Sequence, residues 1–538
     1  MMPVYDAMYQ PYASNRFVLT ACNGMVATGS PLASAAGLEV LRKGGNAVDA
    51  AVATAAALTV VEPTANGLGS DSFALVWVKD KLYGLNSSGY SPKNISLEEV
   101  KAKSPDGRMP KYGWTPVMVP GAVKAWPTLV KRFGKLSLKE DLEPAIRYAE
   151  EGYSVGVLLG EMWERSTAQY HQRFDGKPEF EEWFRTFTKD GESYHFGEIV
   201  TLPNHAKTLR LIAESDADAF YKGEIAEQLV RQSQRDGGYF CMEDLREYES
   251  QWVNPIHVNY RGYDVWEIPP NGQGITALMA LNILKEFEFN ARDDLAVHRQ
   301  LEAMKIAFAD AKHYVTDPSC MTIDYHDLLK PEYGAMRAKE ITDAAGLPVH
   351  EVPPKSGTVY LCTADGEGNM VSYIQSNYMG FGSGITLEGY GVTLANRGSD
   401  FSLNEEDANV LAPHKKSYHT IIPGFLTKDG KAVGPFGVMG GYMQPQGHVQ
   451  VVQNLVDFRL NPQMALDAPR WQWIREKTVE LEPSFDHALA EKLSRRGHDI
   501  RIARDRTSFG RGQIIQRLDN GVLVGGCESR TDSNIACY

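Results

Sequence analysis

Cysteine is scarce in this chain and never clustered. Its six residues, Cys22, Cys241, Cys320, Cys362, Cys527 and Cys537, form no CxxC pair. That spacing argues against a structural zinc site and reads as the reduced thiols of a cytoplasmic protein. No run of about 20 uninterrupted apolar residues is present, so no span through a membrane is expected. Basic runs are missing too. With 55 Lys and Arg against 68 Asp and Glu, the formal net charge is −13, which disfavours non-specific binding to nucleic acid or to an anionic membrane surface. The opening MMPVYDAMYQPYASNRF has no basic n-region and no apolar h-region, so no secretory signal is expected. There is no HExxH and no GxSxG, which leaves neither a metalloprotease helix nor a nucleophile elbow. Gly67-Leu68-Gly69-Ser70-Asp71-Ser72 lacks the Lys-Ser/Thr ending of a phosphate loop. Neither a metal nor a cofactor is expected, and there is no internal repeat or low-complexity tract.

What is present is an ordinary globular composition, 43% hydrophobic and 23% charged over 538 residues, long enough for a sizeable core. Pro31 suits the first turn of a helix, and Gly44-Gly45 ends it. Asn46 is placed to cap the next helix, Ala47 to about Val61, whose small apolar residues predict burial against a sheet. Spacing of i, i+3, i+4 predicts further helices at Leu142–Glu151, Glu224–Gln234, Gly274–Lys285 and Val297–Val315. Tyr260 to Pro270 reads as a hairpin. From Thr358 the texture changes to strands: VYLCTA and MVSYIQS flank a turn at Asp365–Asn369, a second hairpin runs from His419 to Leu426 and Val433 to Val438, and a third turns at Asp519–Gly521. Helices are expected at about Gly447–Asp457 and Asp486–Arg496. Strand pairs bracketed by helices predict stacked sheets inside helical layers. The loop from Pro348 to Gly357 is the best candidate boundary.

That loop ends at Thr358, at the start of a strand pattern. If the bond between Gly357 and Thr358 is cut, Thr358 becomes an N-terminus with a hydroxyl nucleophile and its own amine as base. Gly440-Gly441, after an apolar strand, offers backbone amides for a developing oxyanion. His419 and His448 are the histidines beside Gly- or Thr-bearing segments of this half.

Several long stretches, in order along nearly the whole chain, resemble the γ-glutamyltransferase family of N-terminal-nucleophile hydrolases. They are GMVATGSPLASAAGLEVLRKGGNAVDAAVATAAALTVVEPTANGLGSDSFALVW, VPGAVKAW, YRGYDVWEIPPNGQGITALMALNIL, the Thr358 region with GFGSGI, VMGG, and NPQMALDAPRW. The resemblance implies an α+β fold, a four-layer αββα sandwich made of a large and a small subunit from one precursor. It implies self-cleavage giving residues 1–357 and 358–538, a heterodimer of the two, and possible further dimerisation. The implied chemistry is an acyl ester on Thr358, resolved by water or an amine acceptor, with Ser376 as a second hydroxyl and Gly440 and Gly441 at the oxyanion. The alternative is an uncut, catalytically silent homologue that serves as a binding protein.

Departures from the family pattern bear on the substrate. Typical members hold an α-carboxylate with an arginine and two adjacent serines; those positions fall here at Ser88, His419 and Thr420. The family's asparagine falls at Tyr378. Asp400 is kept, while Arg397 stands where a neutral or acidic contact to the α-amino group is usual. A guanidinium clamps a carboxylate bidentately, so Arg397 is expected to anchor a carboxylate-bearing amide, unless it pairs with Asp400 instead. The segment between Phe401 and Lys415 looks short, which predicts an open pocket. This pattern is closer to the branch that includes members resembling cephalosporin acylases and oxamate amidohydrolase.

Overall fold

The computed structural model describes residues 16–347 and 357–538. Two seven-stranded antiparallel sheets lie face to face. The first runs, edge to edge, β14 (Asn534–Cys537), β2 (Gly24–Thr28), β8 (Gly357–Asp365), β9 (Met370–Tyr378), β3 (Asp71–Val78), β4 (Lys81–Ser87) and β5 (Gln251–Val253). The second runs β1 (Leu19–Ala21), β13 (Leu523–Cys527), β12 (Arg511–Arg517), β11 (Lys431–Met439), β10 (Gly424–Lys428), β7 (Tyr263–Glu267) and β6 (Ile256–Tyr260). Helices α1 (Pro31–Arg42) and α2 (Ala47–Val61) cover the first sheet, and α3 (Val157–Phe174) lies in the same half. The second sheet is covered by α4 (Gly274–Leu284) and α6 (Met443–Val456), with α5 (Asp294–Tyr314) packed on α4. This is the expected four-layer αββα sandwich.

Strand alternation fills the spaces between layers. Successive side chains of a strand point to opposite faces. In β8, Val359 and Leu361 therefore join the core under α2, while Tyr360, Cys362 and Ala364 join the core between the sheets. Both faces are covered, so the strand is apolar throughout. A third core lies between the second sheet and α4, α5 and α6.

Local signals read from the sequence hold. Asn46 caps α2 through the amides of Val48 and Asp49, and Asp49 returns a bond to the Asn46 N–H, a capping box. Helices start a few residues earlier than apolar spacing implies, at Leu138 behind the cap Ser137 and at Asp294 behind the cap Asp293, because polar first turns carry no apolar signal. One strand is shorter than expected. It begins at Gly424 rather than at His419; the His419 side chain is tied to Asp71 instead, and Pro423 has no N–H for a ladder. Most of the Pro348–Gly357 boundary loop lies outside the described residues.

Candidate active site

Thr358 and Ser376 face each other at the open end of the β8–β9 hairpin, away from its turn. A register shift between Gly357 and Val359 lets Gly357 pair with Tyr378 while Val359 pairs with Gln375. Ser376 Oγ lies 2.9 Å from Thr358 Oγ1 and 2.8 Å from the Gly357 carbonyl oxygen, and the Tyr378 N–H reaches it at 2.8 Å. A hydroxyl has one proton to give. Ser376 gives it to the Gly357 carbonyl and accepts from Tyr378 N–H, so Thr358 is the donor toward Ser376. Both hydroxyl side chains are buried.

Tyr378 links this pair to a charged cluster. Its ring lies 4.0 Å from the Arg397 guanidinium carbon, a cation–π contact, and its hydroxyl donates to Asp400 at 3.3 Å. Arg397 donates from Nη1 to Thr420 Oγ1 at 2.9 Å. Its Nε and Nη2 are buried without a partner, so the ion pair with Asp400 is not made. Asp400 is held instead by Tyr442, whose hydroxyl lies 2.8 and 3.0 Å from its two oxygens. Tyr442 in turn is bonded by Lys312 Nζ, which sits 4.0 Å from the Tyr418 ring and 4.3 Å from the Tyr442 ring. Burial pushes the Lys312 ammonium down and the Tyr442 phenol up.

His419 sits beside this cluster, neutral. The Ile421 N–H donates to Nδ1 at 3.4 Å, so the proton is on Nε2, which donates to Asp71 at 3.0 Å. Burial first, then the Arg397 charge, lower its pKa to about 4, against the pull of Asp71. Ser88 is buried at the mouth of β4 and bonded to Asn86 and Asn271. His448 is not part of the site. It lies in α6, with Nδ1 on Glu267 at 2.7 Å and Nε2 accepting from Val438 N–H, and burial lowers it to about 3.

Gly440 and Gly441 follow β11 and precede α6, with φ of +135° and +60°. Side chains rarely adopt these values. Neither amide donates to another backbone group among the described residues outside strands and helices. Gln273 Nε2 donates to both the Gly441 and Thr420 carbonyls, at 2.9 and 2.6 Å, and so ties this turn to the Arg397 side. Gly440 and Gly357 share the wall of one cavity of about 330 Å3.

The short 401–415 segment borders a cavity of about 390 Å3, lined by Lys312, Asp400, Ser402 and Tyr418, but that cavity does not reach Arg397, His419 or Thr358. Arg397, His419 and Thr358 are each at most 1% exposed. Phe401, Leu403 and Leu411 pull that segment down onto Ile95, Val100, Met109 and Met118. Sequence reasoning also missed Asp71, Gln273, Lys312 and Tyr442. Asp71 had a signal, an acid in a glycine-rich loop with no phosphate motif; Lys312 had one too, a lysine amid the small apolar residues of AFADAKHY. As for metals, His298, Glu302 and His498 bring ligand atoms within 4.8 Å of one another. Lys305 already occupies Glu302 at 2.7 Å, a poor setting for a second cation.

Comparison with known proteins agrees with this architecture. The sequence profile of the family described as Gamma-glutamyltranspeptidase matches residues 33–538. The chain is 36% identical over 522 residues to the glutathione hydrolase-like YwrD proenzyme of Bacillus subtilis, covering 94% of this chain and 97% of that one. It is 31% identical over 530 residues to the oxamate amidohydrolase proenzyme of Klebsiella pneumoniae, covering 96% and 98%. The crystal structure of a cephalosporin acylase from Bacillus halodurans superposes with a TM-score of 0.97 at 53% identity, covering 100% and 99%. Among the described residues no helix is long and apolar enough to cross a membrane. The chain belongs to the gamma-glutamyltranspeptidase family, as a hydrolase or acyltransferase of amide bonds.

Proposed function

We propose that the chain cuts itself between Gly357 and Thr358 and then acts as an N-terminal-threonine amidohydrolase or acyltransferase on a small amide whose acyl half carries a carboxylate. The observation that carries this reading is the Ser376 hydroxyl, bonded at once to Thr358 Oγ1 and to the Gly357 carbonyl oxygen. Thr358 Oγ1 attacks the Gly357 carbonyl carbon while its proton passes through Ser376 to the carbonyl oxygen. Collapse breaks the C–N bond and leaves Gly357 as an ester on Thr358, with the amine protonated. Water then releases the Gly357 carboxylate and frees the threonine.

In the mature site the Thr358 amine takes the hydroxyl proton, and the oxygen attacks the substrate carbonyl. The amides of Gly440 and Gly441 face the developing oxyanion, a contribution on the order of 100- to 1000-fold in rate per donor. The substrate C–N bond breaks, the proton passes to the leaving amine, and water or an acceptor amine resolves the acyl ester. Arg397 supplies the anchor, since two of its donors are unpaired and buried. Asp400, Tyr378, Thr420 and the neutral His419 surround that anchor. Glutathione, oxamate and cephalosporin figure in the names of the relatives, so those names agree on amides and not on one substrate.

The fragments 1–357 and 358–538 are expected to stay together as a heterodimer, because β8 lies between β2 and β9 in one sheet. Cytoplasmic residence belongs to the same reading and is open to fractionation. The deciding experiment is intact-protein mass spectrometry of wild type beside Thr358→Ala. Two species dividing at Gly357/Thr358 in wild type alone are expected; one uncut mass in both sinks the reading and favours a silent binding homologue.

A further inference from the structure

The cavity beside Gly357 and Gly440 does not reach Arg397, Asp400, His419 or Thr420. An amide has an acyl half and an amine half, on opposite sides of the reacting carbon. With the acyl carboxylate at Arg397, this cavity is the space left for the amine. Its walls are mixed: Tyr112, Tyr170, Phe381 and Met439 give it an apolar, partly aromatic side, and Glu161, Arg165 and Gln169 a polar one.

Arg511 is the buried cation of that wall; the wall's other arginine, Arg165, is exposed and already paired with Glu161. The β11–β12 register sets Arg511 opposite Met439, the residue before Gly440. It is 6% exposed. Among the described residues its Nη2 meets only the Met162 thioether, at 2.8 Å, a weak acceptor. Its Nη1 lies 3.4 Å from Glu62 Oε1, a long contact. Glu62 balances it poorly: Oε2 is buried with no partner, and burial raises the acid to about 7. A second cavity of about 460 Å3 meets the first at Thr64, Leu158, Met162 and Arg511. A buried guanidinium facing empty space with such partners is under-satisfied.

We propose that this cavity binds the amine half of the substrate, and of any acceptor, and that Arg511 selects an amine carrying a carboxylate on an apolar or aromatic body. The proposal rests on the amidohydrolase reading above. Nη1 and Nη2 present a fork that matches a carboxylate, and the aromatic side of the cavity takes the body.

The test is calorimetric binding of 4-aminobenzoate and its neutral isostere 4-aminobenzamide to the purified full chain. Wild type is expected to prefer the carboxylate by about tenfold or more, the range of a charge-assisted pair. Arg511→Gln is expected to erase the preference, and Arg511→Lys to keep part of it. Glu62→Gln, which removes the competing acid, is expected to raise the preference. Equal affinities in wild type, or a preference that survives Arg511→Gln, overturn the proposal. Where Arg511→Gln fails to fold, an unchanged preference in Glu62→Gln overturns it. Binding needs no turnover, so a failure of self-cleavage sinks the amidohydrolase reading separately.

Discussion

Ser376 Oγ donates to the Gly357 carbonyl oxygen at 2.8 Å, across two strands that pair from opposite ends of a hairpin. The bond polarises the carbonyl that Thr358 is proposed to attack. Removing it while leaving Thr358 in place separates nucleophile from relay. Ser376→Ala is expected to slow self-cleavage by about 100-fold, the scale of one general acid–base or oxyanion group. Ser376→Thr is expected to restore much of it. Cleavage half-times read by gel or mass would settle this; a rate unchanged in Ser376→Ala refutes the relay.

Arg397 is the second target. Its unpaired Nε and Nη2 are predicted to hold the acyl carboxylate. Arg397→Gln is expected to raise KM for carboxylate-bearing amides by about 10- to 100-fold, matching roughly 1.5–3 kcal/mol for a charged hydrogen bond. Amides without that carboxylate are expected to change little. Loss of both classes alike would mean that Arg397 supports only the fold.

Lys312 acts at one remove. It holds Tyr442, which holds Asp400, and it touches Asp400 only through that hydroxyl. Lys312→Met keeps the stem packed between Tyr418 and Tyr442 but removes the charge. The expected result is a raised KM with self-cleavage intact, and partial rescue by Lys312→Arg. Equal damage to cleavage and to KM argues against this positioning role.

Gly440 tests the oxyanion turn. At φ +135° an added Cβ also meets Gly510 Cα at 3.1 Å, so Gly440→Ala is both strained and crowded. kcat is expected to fall by about 100-fold or more with the melting temperature lowered. A variant destabilised but fully active places the oxyanion donors elsewhere.

Asp141 offers a pH prediction away from the site. Both its oxygens are buried without partners, and burial, then Asp49, raises its pKa from 3.8 to about 9. The folded chain therefore keeps a proton that the unfolded chain loses above about pH 4. Stability must fall as pH rises through that window. Asp141→Asn removes the penalty, which is on the order of 2–4 kcal/mol at pH 7. Denaturant melts are expected to show the variant more stable at pH 8 and level with wild type near pH 4. A gain independent of pH contradicts the linkage.

Much of the framework was legible along the chain. The cap at Asn46, the buried small-residue helix behind it and the β8–β9 hairpin rest on contacts within a few residues, which spacing reports directly. The short segment after Phe401 leaves a cavity at Asp400 and not one that reaches Arg397, because length says nothing of the three apolar side chains that pin the segment down. His448 stood out for its neighbours in sequence, yet its side chain is bonded to Glu267, which is 181 positions away.

Sequence alone determined the family, the order of elements and the place of the candidate nucleophile, because motifs and periodicity are properties of contiguous residues. Tertiary structure decided which side chains share a site. Asp71 and His419 are 348 positions apart and meet at 3.0 Å. Lys312, Tyr442, Asp400, Tyr378 and Arg397 come from a helix, a turn, a short 3₁₀ segment and a strand end, joined only by packing of the two sheets. Burial then set their chemistry, leaving His419 neutral and Arg397 with two donors unpaired, and no spacing in the chain encodes that.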